Sequence, residues 1–158
     1  MRSSKILSVL VENKPGTLYK VIHLVRLMRL NIEGLTLGVT GGGDTCRLTL
    51  TLNGDDATVE HVSKQLMKVI DVLDAHTYAP AEVTARELAL VRIRSDEKST
   101  ADEWKPFPVV SSYDDSVVVE VVGNADEIDE FVHRVGDSRV MDIARTGVAA
   151  LPREIQIG

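Results

Sequence analysis

Ile6-Leu7-Ser8-Val9-Leu10-Val11-Glu12-Asn13-Lys14-Pro15-Gly16-Thr17-Leu18 is the stretch that decides how this chain folds. The apolar run Ile6 to Val11 has the length of a buried strand, and Leu18, Val21, Ile22, Val25 and Met28 then recur at the spacing of one helix face. A strand that feeds a helix through Pro15-Gly16 leaves the first N–H groups of that helix without partners, and the aligned peptide dipoles add roughly half a positive charge there. Such an end binds carboxylates. Pro15 fixes φ near the helix entrance, and Gly16 has no Cβ to hold a ligand off the backbone. Asn13, and further on Asn31, offer uncharged acceptors for an ammonium and donors for a carboxylate. Together these groups suit a small amino acid.

Working outward, Asn31 breaks the helix and Ile32 to Val39 forms a second strand. Thr40-Gly41-Gly42-Gly43-Asp44 turns it back into a third, Thr45 to Leu52. Asn53-Gly54-Asp55-Asp56 ends the hairpin and offers an Asp N-cap to a helix with Val59, Val62, Leu66, Val69 and Leu73 on its core face. Residues 75–79 make a fourth strand. The order βαββαβ permits a four-stranded antiparallel sheet with both helices on one side, the ferredoxin-like arrangement.

Ala79-Pro80-Ala81-Glu82 punctuates the chain, which gives the expected domains 1–79 and 80–158. In the second, Glu87 to Arg94 alternates with apolar Leu88 and Leu90, and strands follow at 109–112 and 116–122. A helix with Ile128, Phe131, Val132 and Val135 starts at a capping-box-like Asn124 and Glu127, and a last strand covers 139–144. Between Ser95 and Pro108 the residues are charged or polar, or include Pro106 and Pro108, so at most a short helix fits there. Trp104 and Phe107 are either an interface anchor or a plug under that shortened helix. The fold class is therefore α+β, two ferredoxin-like domains of which the second is shortened.

The segments Ile6 to Asn13, Pro15-Gly16-Thr17-Leu18 and Asn31-Ile32-Glu33-Gly34-Leu35-Thr36 resemble those of the ACT domain, an amino-acid-sensing βαββαβ module. With Lys64-Gln65-Leu66, Lys68-Val69-Ile70-Asp71-Val72, Arg86-Glu87-Leu88-Ala89-Leu90-Val91 and Arg145-Thr146-Gly147, the resemblance narrows to the small regulatory subunits of acetolactate synthase and spans nearly the whole chain. It implies a binding site for a branched-chain amino acid, valine before leucine or isoleucine. Backbone amides of Gly16, Thr17 and Leu18 with the Asn13 side chain would hold the carboxylate, Asn31 would take the ammonium, and Leu18, Ile32 and Leu35 would line the side-chain end, with Pro15 shaping the turn. In the family the pocket lies at a homodimer interface, with the turn from one subunit and the Asn31 to Thr36 edge from its mate. The partner would be the large catalytic subunit, which condenses two pyruvates, or pyruvate with 2-oxobutyrate. Thiamine diphosphate, Mg²⁺ and FAD would belong to that partner, and this chain would hold no cofactor. A free-standing amino-acid-binding regulator of another enzyme or of a transcription factor is the alternative.

Composition narrows the other classes. A net charge of −6 and a pI near 5.2 disfavour nucleic acid and anionic membranes. No apolar run approaches the ~20 residues needed to span a bilayer. After Met1-Arg2-Ser3-Ser4-Lys5 the first apolar run is too short for a signal segment, and a lone Cys46, expected to be a buried small hydrophobe, suits a reducing compartment. The cytoplasm is the simplest location. Gly41-Gly42-Gly43 lacks the following Lys-Ser/Thr of a phosphate loop and leads into a strand, so it reads as a hairpin turn. His23, His61, His76 and His133 fall singly, without an acidic partner at ligand spacing, and the carboxylates sit at helix starts and on solvated faces. No catalytic or metal-binding residue is expected.

Overall fold

The computed structural model describes residues 4–154. The chain up to Ala85, together with the segment from Gly147 onward, forms one unit, and Arg86–Thr146 forms the other. The expected domain 80–158 takes in the segment after Thr146. In the structure that segment packs with the first unit, because Val148 and Ala150 bury against Ile6 and Val83.

The first unit runs β1 (Ser4–Glu12), α1 (Thr17–Leu27), β2 (Asn31–Thr40), β3 (Thr45–Asn53), α2 (Asp56–Leu66) and β4 (Val72–Tyr78). Its antiparallel sheet has the order β2-β3-β1-β4, as the βαββαβ pattern predicts. Strand alternation sends Leu7, Val9 and Val11 of β1 and Leu48, Leu50 and Leu52 of β3 to one face. There they bury against Val21 and Val25 of α1 and Val59, Val62 and Leu66 of α2. Each such side chain contributes about 1.5–3 kcal/mol through removal from water. Cys46 joins this core as a small apolar residue. Asp55 caps α2 as expected, its carboxylate accepting from Thr58 N–H at 2.7 Å.

Leu73 departs from expectation. The bonds Lys68 N–H to Gln65 O (3.1 Å) and Val69 N–H to Leu66 O (3.0 Å) tighten the chain out of the α-helix after Leu66. Leu73 therefore lies in β4, 45% exposed, and β4 begins at Val72 rather than residue 75.

β5 (Val83–Arg94) begins in the first unit and continues into the second, which adds β6 (Val109–Ser112), β7 (Ser116–Gly123), α3 (Ala125–Val135) and β8 (Val140–Arg145). The order β6-β7-β5-β8 repeats that of the first sheet, with β5 in the place of β1. β9 (Ala149–Pro152) also pairs with β5. Where the first helix of the repeat would stand there is only the 3-10 turn Ala101–Trp104. Trp104 is buried, and Phe107 meets Phe131 edge-on at 5.2 Å between ring centres, so this pair is the plug and not an anchor. The α3 start is the predicted capping box: Glu127 N–H donates to Asn124 Oδ1 at 2.9 Å and Asn124 N–H to Glu127 Oε2 at 2.7 Å. On β5 the core face is Ala89, Val91 and Ile93, packed with Val119, Val121, Ile128 and Phe131. Leu90 lies on the other side of the strand, 41% exposed. Leu88 shares that side by alternation.

Candidate functional site

α1 follows β1 after one tight turn. Lys14 N–H returns to Glu12 O at 2.9 Å, Thr17 N–H reaches Lys14 O at 3.4 Å, and the first helical bond is Lys20 N–H to Gly16 O at 3.2 Å. Gly16, at the N-cap, has φ +85° and ψ −11°, a left-handed conformation that a Cβ disfavours, and no side chain caps the helix. Leu18 and Tyr19 N–H, in the first turn, have no preceding helical carbonyl to meet and lie at the positive end of the helix dipole. Among the described residues a Cβ built on Gly16 would meet no atom within 4 Å, so they leave the space over the turn open. Thr17 is buried, and its hydroxyl has no partner among the described residues.

The turn rests on the β2–β3 hairpin connection. Asn13 N–H donates to Asp44 O at 2.9 Å and Asn13 Nδ2 donates to Gly43 O at 2.9 Å. The glycines there all have positive φ and lead into β3 and not into a helix, as a hairpin turn does. Among the described residues Asn13 thus commits one amide hydrogen to the fold, and its second hydrogen and its carbonyl oxygen remain.

Charges beside the turn cancel in pairs. Lys20 Nζ donates to Asp71 Oδ2 at 2.7 Å, and Lys14 Nζ lies 2.6 Å from Glu12 Oε2 and 3.9 Å from Asp71 Oδ1. The Lys20 hydrogen bond holds the Asp71 carboxyl below the usual carboxylate range, outweighing the opposing effect of burial, and the bond to Glu12 raises Lys14. With two cations offset by two anions, the uncapped helix end is the remaining attraction for a negative group. Such a balance suits a zwitterion better than a multiply charged anion. Lys20 and Asp71 were not legible as part of this site, because they are 51 residues apart and only packing joins them.

Asn13, Pro15, Gly16, Thr17 and Leu18 are therefore together. Asn31, Ile32 and Leu35 are not with them. Thr40 pairs with Thr45, which pairs with Glu12, whereas Asn31 pairs with Asn53, which pairs with Ser4. At about 3.4 Å per residue, Asn31 is about 30 Å along β2 from the end that carries the turn. Ile32 and Leu35 are half-buried against the core, and Asn31 is exposed. β2 is a sheet edge, and the apolar Leu37 and Val39 on its helix-facing side are 50% and 64% exposed.

Among the described residues no group of three or more His, Cys, Asp or Glu side chains is placed to hold a metal ion. No described helix is long and apolar enough to cross a membrane. One histidine departs from expectation: His76 Nε2 lies 2.9 Å from Asp74 Oδ2, since residues two apart on a strand share a face. Glu87 likewise is buried and not solvated, paired to Arg145 at 2.7 Å.

Comparison with known proteins covers both units. A family described as AHAS small subunit-like ACT domain matches residues 7–74, and one described as small subunit of acetolactate synthase matches residues 86–154. A probable acetolactate synthase small subunit of Methanothermobacter thermautotrophicus is 34% identical over 94% of this chain and 92% of its own length. The acetolactate synthase isozyme 3 small subunit of Escherichia coli is 32% identical over 94% and 95%. The crystal structure of the Thermotoga maritima acetolactate synthase small subunit superposes with a TM-score of 0.82 at 28% identity, covering 96% of this chain and 98% of that one.

Proposed function

We propose, from the premise that this chain belongs to the family of acetolactate synthase small subunits, that it is a regulatory subunit which activates a catalytic large subunit and makes it sensitive to valine. The observation that carries this reading is the uncapped, open N-terminus of α1 in a chain matched by the family along both units. Valine's carboxylate accepts from the N–H groups of Leu18 and Tyr19 and from the second amide hydrogen of Asn13. Leucine and isoleucine compete, because a methylene is worth only about 1–3 kcal/mol in such a pocket.

A second copy completes the site. Two β2 edges paired antiparallel about a two-fold axis bring Asn31 of one copy toward the turn of the other, and cover Leu37 and Val39. The ammonium then meets the second copy's Asn31. Valine stabilises this dimer arrangement, and its differential affinity for two holoenzyme states is the coupling energy. Thiamine diphosphate, Mg²⁺ and FAD belong to the large subunit, whose condensation of two pyruvates, or of pyruvate with 2-oxobutyrate, takes place in the cytoplasm.

The test mixes the full chain with its large subunit and follows acetolactate formation. Addition of the chain raises the rate, and valine lowers it only when the chain is present. Asn31→Ala removes ligand hydrogen bonds worth about 1–3 kcal/mol and so relieves inhibition while keeping activation. Loss of both together in a folded, dimeric variant would make Asn31 a docking residue and overturn the placement of the site.

A further inference from the structure

Residues 147–154 follow the second unit in sequence but are built into the first. Val148 and Ala150 are buried with Ile6 and Val83. Arg153 N–H donates to Glu82 O at 2.9 Å, and Arg153 Nε donates to Val83 O at 3.2 Å. At its start the segment lies on β2. Gly147 has φ +86°, and a Cβ on it would fall 2.9 Å from Leu35 O and 3.1 Å from Leu35 N. Gly34 is bare at the same place, where a Cβ would meet Gly147 Cα at 3.6 Å. Thr36 Oγ1 donates to Val148 O at 3.0 Å, across 112 residues of sequence. Two glycines thus let backbone lie directly on backbone.

The segment covers the irregular point of the β2–β3 ladder. Ile32 pairs with Leu52 and Gly34 with Thr51, so Glu33 is an extra residue that β3 does not match. This bulge decides which way the side chains around it face. Leu52 and Leu50 are core residues, and their partners Ile32 and Leu35 both pack against that core although they are three positions apart, which strict alternation forbids. Asn31, one residue before Ile32, consequently shares the opposite face with Gly34 and Thr36, on which Gly147 and Val148 lie. Without the bulge Asn31 would turn to the core side. The carboxylate of Glu33 itself accepts from Ser4 Oγ at 2.9 Å, in an exposed bond with which water competes. The hold just past it, at residues 34–36, is partly buried and has no rotatable side chain within the backbone contact, so it fixes the strand more firmly.

We propose that residues 147–152 are a brace of the amino-acid-binding unit, which holds the bulge at Glu33 and thereby fixes the face on which β2 presents Asn31. Thr36, Gly147 and Val148 are positioning residues in it. Its service to a ligand rests on the amino-acid-binding reading of Asn31; the brace itself does not.

Amide spectra of the full chain test the brace without any ligand. Val148→Ala loosens the burial against Ile6 and Val83 and changes no residue of β2. It is expected to shift Asn31, Glu33 and Gly34 and to speed their hydrogen exchange, with Val39 and Cys46 at the other end of the hairpin unmoved. Thr36→Val, which keeps the shape and removes the hydroxyl, should shift the same residues, and Thr36→Ser, which keeps the hydroxyl, should leave Asn31 and Glu33 as in the wild type. Asn31 and Glu33 unmoved in both Val148→Ala and Thr36→Val would overturn the brace; if Val148→Ala does not fold, the two Thr36 variants decide alone. Titration calorimetry with valine follows. Val148→Ala and Thr36→Val should bind it about threefold or more weakly, and Thr36→Ser as the wild type does. Wild-type affinity in variants whose Asn31 has moved would overturn the positioning role. A wild type that does not bind valine would instead remove the amino-acid-binding reading, while the ligand-free spectra still decide the brace.

Discussion

Gly16→Asp separates a ligand-binding turn from a merely structural one, with Gly16→Asn as its control. Both replacements meet the same backbone requirement, φ +85°, where asparagine and aspartate are the side chains best tolerated after glycine. Neither meets a steric barrier, since no atom of the described residues lies within 4 Å of the new Cβ. The strain is about 1–2 kcal/mol at most and common to both, so thermal unfolding should show two folded proteins of similar stability. They differ in charge. A carboxylate about 4 Å from the ligand's carboxylate repels it by about 1 kcal/mol in water and about 4 kcal/mol at the effective dielectric of a protein surface. Titration calorimetry should therefore find valine affinity in Gly16→Asp lower than in Gly16→Asn by at least about fivefold, with a larger gap at low salt. Equal affinities in the two folded variants, or valine binding that ignores both, would refute the assignment of the carboxylate to this helix end.

Other expectations follow from the same geometry. Glu87→Gln weakens the bidentate bond to Arg145, which keeps Asp129 as its other partner, and should lower unfolding stability in urea by about 1–3 kcal/mol, read from the second unit's signals. Leu37→Asp puts a charge on the uncovered face of β2 and should shift the chain toward monomer in sedimentation velocity at micromolar concentration; an unchanged dimer would place the interface elsewhere. Asp55, Asp71 and Glu103 are held below their ordinary values by the Thr58 N–H, by Lys20 and by Arg139 respectively. Their folded pKa values are depressed, so the stability they contribute is present above about pH 4 and is lost as pH falls through the lower folded values. Asp71→Asn should flatten that acid limb, and an unchanged pH profile would mean that its pairing with Lys20 contributes nothing measurable.

The sequence by itself determined the elements, because their signals are local. Strand alternation in Leu7-Val9-Val11 and the 3.6-residue recurrence of Val21 and Val25 are written in adjacent residues, as are the caps at Asp55 and Asn124 and the turn at Gly41–Asp44. The family resemblance rests on the same short segments. The half-site Asn13–Leu18 was legible for the same reason, since a strand-turn-helix is contiguous. Where a helix stops was less legible: Leu73 continues the apolar period of α2 but belongs to β4, because the hydrogen bonds that end α2 follow from how the chain closes its sheet and not from periodicity. Only the tertiary structure decided that Asn31 stands at the far end of β2 from Asn13, since register is a property of paired strands. It alone joined Lys20 to Asp71 and buried Glu87 under Arg145. It alone brought Gly147 against Leu35, because contacts across such sequence distances are selected by packing of the whole unit and leave no mark in either segment alone.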